Sequence, residues 1–500
     1  MNKKYNFLSL NKIMIKTRLL KIYTILLSIS LSGDVFAELD QKSPNVLFIA
    51  IDDLNDWIGC FGGNSQVKTP NLDRFNASGG MAMIDAHCAS TVCGPSRSSL
   101  LTGKYPHKTG VYGNKNNLRK AQKTKDLITL PQYFSLHGYY TLSSGKIFHK
   151  HPLTTDKKRR DALDHGEWAF DEWVHEKGGI SPKGKDFPLN GLPPAKGDRS
   201  YHSIGFDWAP TAGNDETKMK DYITAKWAVK QLQSRGFEKP FFMAVGFSKP
   251  HLPWYVPQKY FDMYPLDEII LPKTISNDLD DILNKYDKPV RPHGTWQRVE
   301  RAGRHKEAVQ AYLATITFID ECIGVLLDGL ENSKYADNTI IVLWGDHGWH
   351  LGEKMKYGKT QLWQESCRIP LMIKVPGVTK KNAKCSGIVN LIDLYPTLID
   401  LCGLPKNLDL DGRSFAELIQ KPNIEWSLPT LTDYNYGGHR IYDGRYSYIV
   451  FMEQGIEQLY DHWSDPMEWN NLVKEKKYEQ IKDRLKDLIP KEREATAPRG

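Results

Sequence analysis

No run of about 18 consecutive apolar residues occurs in the 500-residue chain, so no segment has the length of a membrane-crossing helix. Self-similarity at solenoid periods is absent, as is any low-complexity tract, which excludes a repeat scaffold and a chain of biased composition. Cysteine is sparse: seven residues, at 60, 88, 93, 322, 367, 385 and 402, none in a Cys-x-x-Cys zinc pattern. Their odd number leaves at least one thiol outside any set of intrachain bridges, and the sequence assigns no pairing to the rest. A large excess of one charge is missing too. The formal net charge is +8, but Lys3, Lys4, Lys12, Lys16, Arg18 and Lys21 lie at the start with Asp34 as the only acid before residue 38. Without that +5 the remainder carries +3, too mild a balance to argue for nucleic acid as a partner.

What is present at the start reads as an export signal. The basic stretch Met1–Lys21 is followed by the apolar run Ile22–Leu31 and by Val35-Phe36-Ala37, small residues at the positions a signal peptidase reads. Cleavage after Ala37 is expected, with an exported (periplasmic or secreted) product and no membrane attachment once the signal is removed. An anchor is the rival reading, but a run of about ten residues is too short to span a bilayer. The remaining length exceeds the roughly 250–300 residues at which single cores stop growing, so more than one lobe is expected.

One unit recurs along the chain, a short continuous apolar run that ends on polar, chemically capable residues. Asn45–Ile51 runs into Asp52-Asp53, Phe241–Phe247 into Ser248-Lys249-Pro250-His251, and Thr339–Trp344 into Gly345-Asp346-His347. Such runs suit strands buried on both faces of a parallel sheet, and groups just past them lie at the sheet's carboxyl edge, where α/β folds build their sites. Helical periodicity over 221–235 and 306–330 alternates with these strands; in the second, Tyr312, Ile316, Ile319, Ile323 and Leu327 recur at spacings of three and four. Residues 150–220, rich in Lys, Asp, Gly and Pro, read as a surface insertion near the site. From about 425 the texture changes to short strands over 429–434, 440–443, 446–452 and 458–460, then a helix over 478–488. The expected organisation is an α/β catalytic domain over 38–424, with a central mostly parallel sheet flanked by helices. A smaller α+β lobe with an antiparallel sheet over 425–500 completes it.

The most informative string is Cys93-Gly94-Pro95-Ser96-Arg97-Ser98-Ser99-Leu100-Leu101-Thr102-Gly103. Pro95 and Ser96 suit a helix start, which sets residue 93 against free backbone N–H groups that favour an anion, with Arg97 one turn on adding a fork of donors. The pairs Asp52-Asp53 and Asp346-His347 follow buried strands, and adjacent carboxylates there call for a cation. Lys146 and His149 (in Ser144–His149), Lys249 and His251, and Lys359 form a candidate ring of cations beyond other strand ends. Taken singly, each of these residues has an ordinary reading as a buried thiol, a strand cap or a solvated charge; their common position argues otherwise.

The whole string, Cys-x-Pro-Ser-Arg followed by Thr-Gly, resembles the sulfatase family. Asn45–Asp53, Pro70–Asp73, Gly145–His149, Val245–Pro253, Asp346–Glu353 and the Leu459-Tyr460-Asp461, Asp465-Pro466 and Asn471-Leu472 tail look most like iduronate 2-sulfatases and their bacterial relatives. The resemblance thins over 150–220, 270–300 and 410–440, where substrate-recognition loops would sit. It implies an alkaline-phosphatase-like fold and Cys93 oxidised to formylglycine (3-oxoalanine) by a formylglycine-generating or anaerobic sulfatase-maturating enzyme. It also implies a Ca²⁺ held by Asp52, Asp53, Asp346 and His347. By the family's mechanism Arg97, Lys146 and Lys359 hold the sulfate, His251 protonates the departing oxygen and His149 takes a proton from residue 93. The implied reaction is hydrolysis of a sulfate ester on a carbohydrate. Lys249, Trp349, His439 and Arg440 are candidates for contacts to the sugar. A phosphonate monoester or phosphodiester hydrolase of the same superfamily, or an unconverted sugar-binding homologue, are the alternatives.

Overall fold

A computed structural model describes residues 43–149, 170–174, 180, 182, 188–192 and 205–499. The export signal expected over 1–37 lies outside these residues. In chain order the strands are β1 (Asn45–Ile51), β2 (Met81–His87), β3 (Tyr140–Gly145), β4 (Glu172–Val174), β5 (Trp208–Pro210), β6 (Phe241–Phe247), β7 (Trp254–Val256) and β8 (Thr339–Gly345). They continue as β9 (His350–Leu351), β10 (Tyr357–Gly358), β11 (Arg368–Lys374), β12 (Lys384–Cys385), β13 (Val389–Asn390), β14 (Thr430–Tyr434), β15 (Gly438–Tyr442), β16 (Tyr446–Phe451) and β17 (Ile456–Asp461).

The large sheet runs β12-β2-β11-β8-β1-β6-β3-β4, with β13 also paired to β2. β8, β1, β6, β3 and β4 are parallel neighbours, and β11 joins antiparallel between β8 and β2. β1, β6 and β8 are buried along their whole length, as their unbroken apolar runs require. Alternate residues face opposite layers. Leu47, Ile49, Ile51, Met243 and Val245 pack with helix α2 (Lys220–Ser234) and helix α3 (His305–Glu331), whose expected stripe from Tyr312 to Leu327 is buried. Val46, Phe48, Ala50, Phe242 and Ala244 pack on the other face, with Leu100 and Leu101 of helix α1 (Cys93–Thr102) and with Tyr395 and Leu398. Each such aliphatic side chain contributes about 1.5–3 kcal/mol by leaving water.

Register decides what this sheet presents. Ile51 is level with Phe247 on one side and Gly345 on the other, and Gly145 is level with Gly246. Asp52, Ser248 and Asp346 therefore leave the sheet at one level of its carboxyl edge, and Lys146 leaves it one residue earlier. Gly145 is required there: its φ is +78°, and a Cβ would meet the Gly246 carbonyl oxygen at 1.9 Å.

A separate antiparallel sheet, β14-β15-β16-β17, matches the strands expected after 425, and the helix Glu479–Lys486 contributes Leu485 to its core. Asp433 of β14 donates its N–H to Ala89 O, 2.9 Å, which ties this sheet to the segment leading into Cys93. The stretch 150–220 is not wholly a surface insertion. Glu172–Val174 adds the edge strand of the large sheet, and Leu192 and Trp208 are buried in the core beside Trp254. Its apolar residues are too widely spaced to display a period, which hid this from the sequence. Among the described residues no helix is long and apolar enough to cross a membrane.

Candidate active site

Helix α1 starts at Cys93 itself, with Val92 still extended, so residue 93 sits in the first turn, where backbone N–H groups have no intrahelical partner. The buried Leu100 and Leu101 hold the helix on the sheet. Two polar contacts set its N-terminus: Gly94 N–H donates to Asn114 Oδ1 at 2.8 Å, and the Ser96 hydroxyl to Asp346 O at 2.5 Å. The Cys93 thiol is buried, with its Sγ 2.8 Å from Lys359 Nζ, 3.3 Å from His347 Nε2 and 3.9 Å from Asp53 Oδ1.

Asp52, Asp53, Asp346 and His347 converge beside it. Asp53 N–H donates to Asp346 Oδ1 at 3.0 Å, and Asp53 adopts a left-handed φ of 64°, held by the Tyr312 hydroxyl donating to its carbonyl at 2.7 Å. His347 Nδ1 lies 3.0 Å from the Gly348 carbonyl, so it carries the proton. Nε2 then presents a lone pair to Asp53 Oδ1 and Asp346 Oδ1, 3.3 and 3.5 Å away. Acceptors facing acceptors in a buried site require a cation or a proton between them. Asp53 Oδ2 is also buried without a donor among the described residues. Three carboxylates and one imidazole, mostly oxygen, fit a hard divalent cation, and Asp52, Asp346, His347 and Cys93 offer atoms within 4.8 Å of one another.

Cations interleave with these acids. Lys146 pairs with Asp52, and Lys359 with Asp53. Arg97 departs from expectation. Its Nε donates to Asp346 Oδ2 at 2.8 Å, Nη2 to Asp52 Oδ1 at 3.3 Å, and Nη1 to the carbonyls of Lys146 and Ile147 at 2.6 and 2.9 Å. Expected as a sulfate donor, the guanidinium instead directs most of its N–H groups to the carboxylates and to the strand end that carries Lys146. Burial would raise the Asp52 carboxyl, but Lys146, His251, Arg97 and Lys359 hold it well below the usual carboxylate range. Asp53 is likewise lowered, against its burial, by His251 and Lys359. Burial pushes the Cys93 thiol up, with Lys359 opposing. Burial and Lys146 push His149 down to about 3, and its buried Nδ1 has no partner among the described residues. An unmodified Cys93 is thus a poor nucleophile, since the thiolate is the reactive form.

His251 reaches the site from the other side, its Nε2 3.9 Å from Asp53 Oδ2, with its side chain 38% exposed. Nδ1 lies 2.6 Å from the Leu252 carbonyl. Lys249, expected to face the sugar, is turned inward: Nζ donates to the carbonyls of His251 and Pro253. Burial lowers that amine to about 8. Trp349 is buried against Trp254, and Lys359 Nζ lies 5.6 Å from its ring centroid.

His439 and Arg440 lie on β15 and are buried, not on an open turn at the mouth. His439 Nδ1 is 2.7 Å from Asp433 Oδ1, and Arg440 donates to Gln364 and lies 3.3 Å from His87 Nδ1. Gly437-Gly438 does mark a turn, but the strand resumes at once and both of its faces are covered, His439 meeting Asp433 on one and Arg440 meeting His87 and Gln364 on the other. Sequence reasoning missed Asp221, Asn114 and Tyr312. Asp221 accepts the N–H groups of Ser248 and Lys249, at 2.7 and 3.0 Å, and so holds the loop that carries His251. Tyr312 fell inside a helical stripe and was read as core alone.

The sulfatase family model matches residues 44–404, and a model for the C-terminal part of N-sulphoglucosamine sulphohydrolase matches 345–495. The chain is 38% identical to a sulfatase of Formosa agariphila, over 90% of this chain and 87% of the relative. It is 29% identical to iduronate 2-sulfatase of Mus musculus, over 72% of this chain and 69% of the relative. In fold it is similar to the phosphonate monoester hydrolase of Agrobacterium radiobacter: the TM-score is 0.70 at 19% identity, covering 89% of this chain and 94% of that one.

Proposed function

The chain belongs to the sulfatase family and is a sulfuric ester hydrolase, and from that premise we propose that it removes sulfate from a sulfated carbohydrate after conversion of Cys93 to formylglycine. The iduronate 2-sulfatase relative supports a sugar substrate. The observation that carries the reading is the Cys93 environment: a buried thiol, unsuited to act as a thiolate, within 2.8 Å of Lys359 and 3.3 Å of His347 at a helix start.

When present, formylglycine would supply a hydrated aldehyde as nucleophile, and Ca²⁺ held by Asp52, Asp53, Asp346 and His347 would supply polarisation of the sulfate oxygens. The chain's own residues do the rest. Lys146 and Lys359 lie at the carboxyl edge to meet the equatorial sulfate oxygens, while Arg97 keeps Asp52 and Asp346 in place for the metal. His251 is the proton donor to the departing sugar oxygen, because its side chain is 38% exposed and its Nε2 faces Asp53 from the open side of the site. His149, kept neutral by burial, is the base that takes a proton from residue 93. We assign 38–424 to the catalytic domain and 425–500 to the subdomain, with export before action and a maturation enzyme acting on Cys93.

The test is turnover of matured enzyme on sulfated sugars, a small aryl sulfate, a phosphodiester and a phosphonate monoester, with mass spectrometry of the peptide containing residue 93. Sulfate release that scales with the formylglycine fraction is expected. Preferential turnover of the phosphorus esters, or full activity with an unconverted thiol, would overturn the reading.

A further inference from the structure

A groove of about 870 Å³ opens between the segment that follows α1 and the end of the chain, away from the residues that hold the scissile group. Lys104, His107, Lys108, Lys123, Lys491 and Arg493 line it, opposed by Glu492 and Glu494. The charges do not cancel. Lys104 and Lys108 share the single carboxylate of Asp411, at 3.4 and 2.8 Å, and Lys123 pairs with Glu494. Lys491 and Arg493 have no carboxylate partner among the described ion pairs, and the Nε of Arg493 is buried with no acceptor. Arg493 Nη1 meets Met452 Sδ, 2.6 Å away, so among the described contacts the guanidinium has no oxygen acceptor.

The wall is built, not incidental. Asp433, fully buried, accepts from His107 N–H at 3.0 Å and from His107 Nδ1 at 2.8 Å, while its other oxygen binds His439 Nδ1. That arrangement fixes His107 to β14 and β15. The Arg493 guanidinium lies 5.3 Å from the ring centroid of Tyr436, which is half-exposed and meets Tyr112 at 5.7 Å, edge to face. Tyr112 donates its hydroxyl to Glu494 O at 2.9 Å. Two residues on, Asn114 accepts the N–H of Gly94, next to Cys93. A single stretch of chain, 107–114, thus joins the groove, two aromatic rings and the reacting residue.

We propose that this groove is a second anion site, which takes a sulfate or carboxylate carried by another sugar of the same glycan. Tyr436, backed by the buried Tyr112, is the apolar face beside it. The proposal rests on the sulfated-carbohydrate reading above. Cations there add affinity only for a substrate long enough to reach them, and that contribution is screened by salt. Aromatic faces suit the apolar faces of sugar rings, and the guanidinium suits planar or tetrahedral oxyanions.

The double charge reversal K491E/R493E in the matured enzyme tests this. KM for a sulfated oligosaccharide is expected to rise about tenfold at low ionic strength, with the difference fading in salt. Turnover of a small aryl sulfate should stay unchanged. Unchanged KM on the oligosaccharide, or equal losses on both substrates, overturns the proposal. A binding arm keeps the two readings separable: Cys93→Ala protein, with and without the reversal, is titrated with dextran sulfate. If the wild-type enzyme hydrolyses no sulfate ester, the proposed function fails; weaker binding of dextran sulfate by the reversed protein would still support the groove. Equal binding by both proteins refutes it.

Discussion

Residue 93 sits where a thiol is least useful as it stands. Burial holds its proton on, and its neighbours are a lysine, a neutral imidazole and a carboxylate. Cys93→Ala removes only Sγ from a helix that Leu100 and Leu101 anchor, so the fold should persist while kcat falls by at least about 10³-fold. Retention of a tenth of wild-type kcat would end the assignment of residue 93 as nucleophile. Asp53→Asn keeps the shape of the side chain but removes one charge from a site with three carboxylates. It should lower bound divalent metal in elemental analysis and cost about 10²-fold in rate, the scale of losing one electrostatic stabiliser. Active wild-type enzyme free of divalent metal would contradict the ligand set.

The loop 248–253 is the element whose placement matters most, because it brings His251 to the site without belonging to the sheet. Asp221 of α2 holds its start through two N–H groups, and Lys249 holds its far half through the carbonyls of His251 and Pro253. Asp221→Ala leaves two backbone donors with no acceptor and Lys249 without the carboxylate that most offsets its burial. We expect destabilisation of about 2–4 kcal/mol in denaturant unfolding, and a fall in kcat larger than any change in KM. Wild-type kcat in a folded Asp221→Ala protein would mean that the loop needs no such anchor. In the same element, Lys249→Met should lower kcat on a small aryl sulfate as much as on a sugar sulfate, which sets a positioning role apart from substrate binding.

Across the whole molecule, buried titrating groups pull stability in opposite directions. Burial pushes His350 down to about 3, and neither of its ring nitrogens has a partner among the described residues. In the unfolded chain it binds a proton near pH 6.5, so the unfolded state takes up more protons between pH 6.5 and 3. Its contribution to stability is therefore present above pH 6.5 and lost as pH falls through that window. Burial raises Asp320 and Asp393 to about 6, which acts in the reverse sense as pH rises from the ordinary carboxylate range. The unambiguous measurement is a difference: Tm of His350→Gln relative to wild type should increase from pH 7 to pH 4. A constant offset would remove His350 from the acid response.

Much of this was legible in the chain because the chemistry is local in sequence. Strands buried on both faces write unbroken apolar runs, and the groups at their ends follow immediately, so Asp52, Asp53, Asp346, His347, Lys146 and His251 could be named without knowing which strands were neighbours. The Cys93–Gly103 string carries its own helix start. Tertiary structure alone decided where long side chains point. Arg97, Lys249 and Arg440 each have four or more rotatable bonds and reach acceptors set by other elements, so their sequence positions do not reveal whether they face substrate, backbone or core. The same holds for Asp221 and Asn114, whose partners lie on other segments of the chain, and for the groove, where residues 104–124 and 490–494 meet because residues 494–498 hydrogen-bond to 107–117. Local pattern sets strands, helix starts and their polar ends; side-chain direction depends on contacts between distant segments, and those exist only in the folded state.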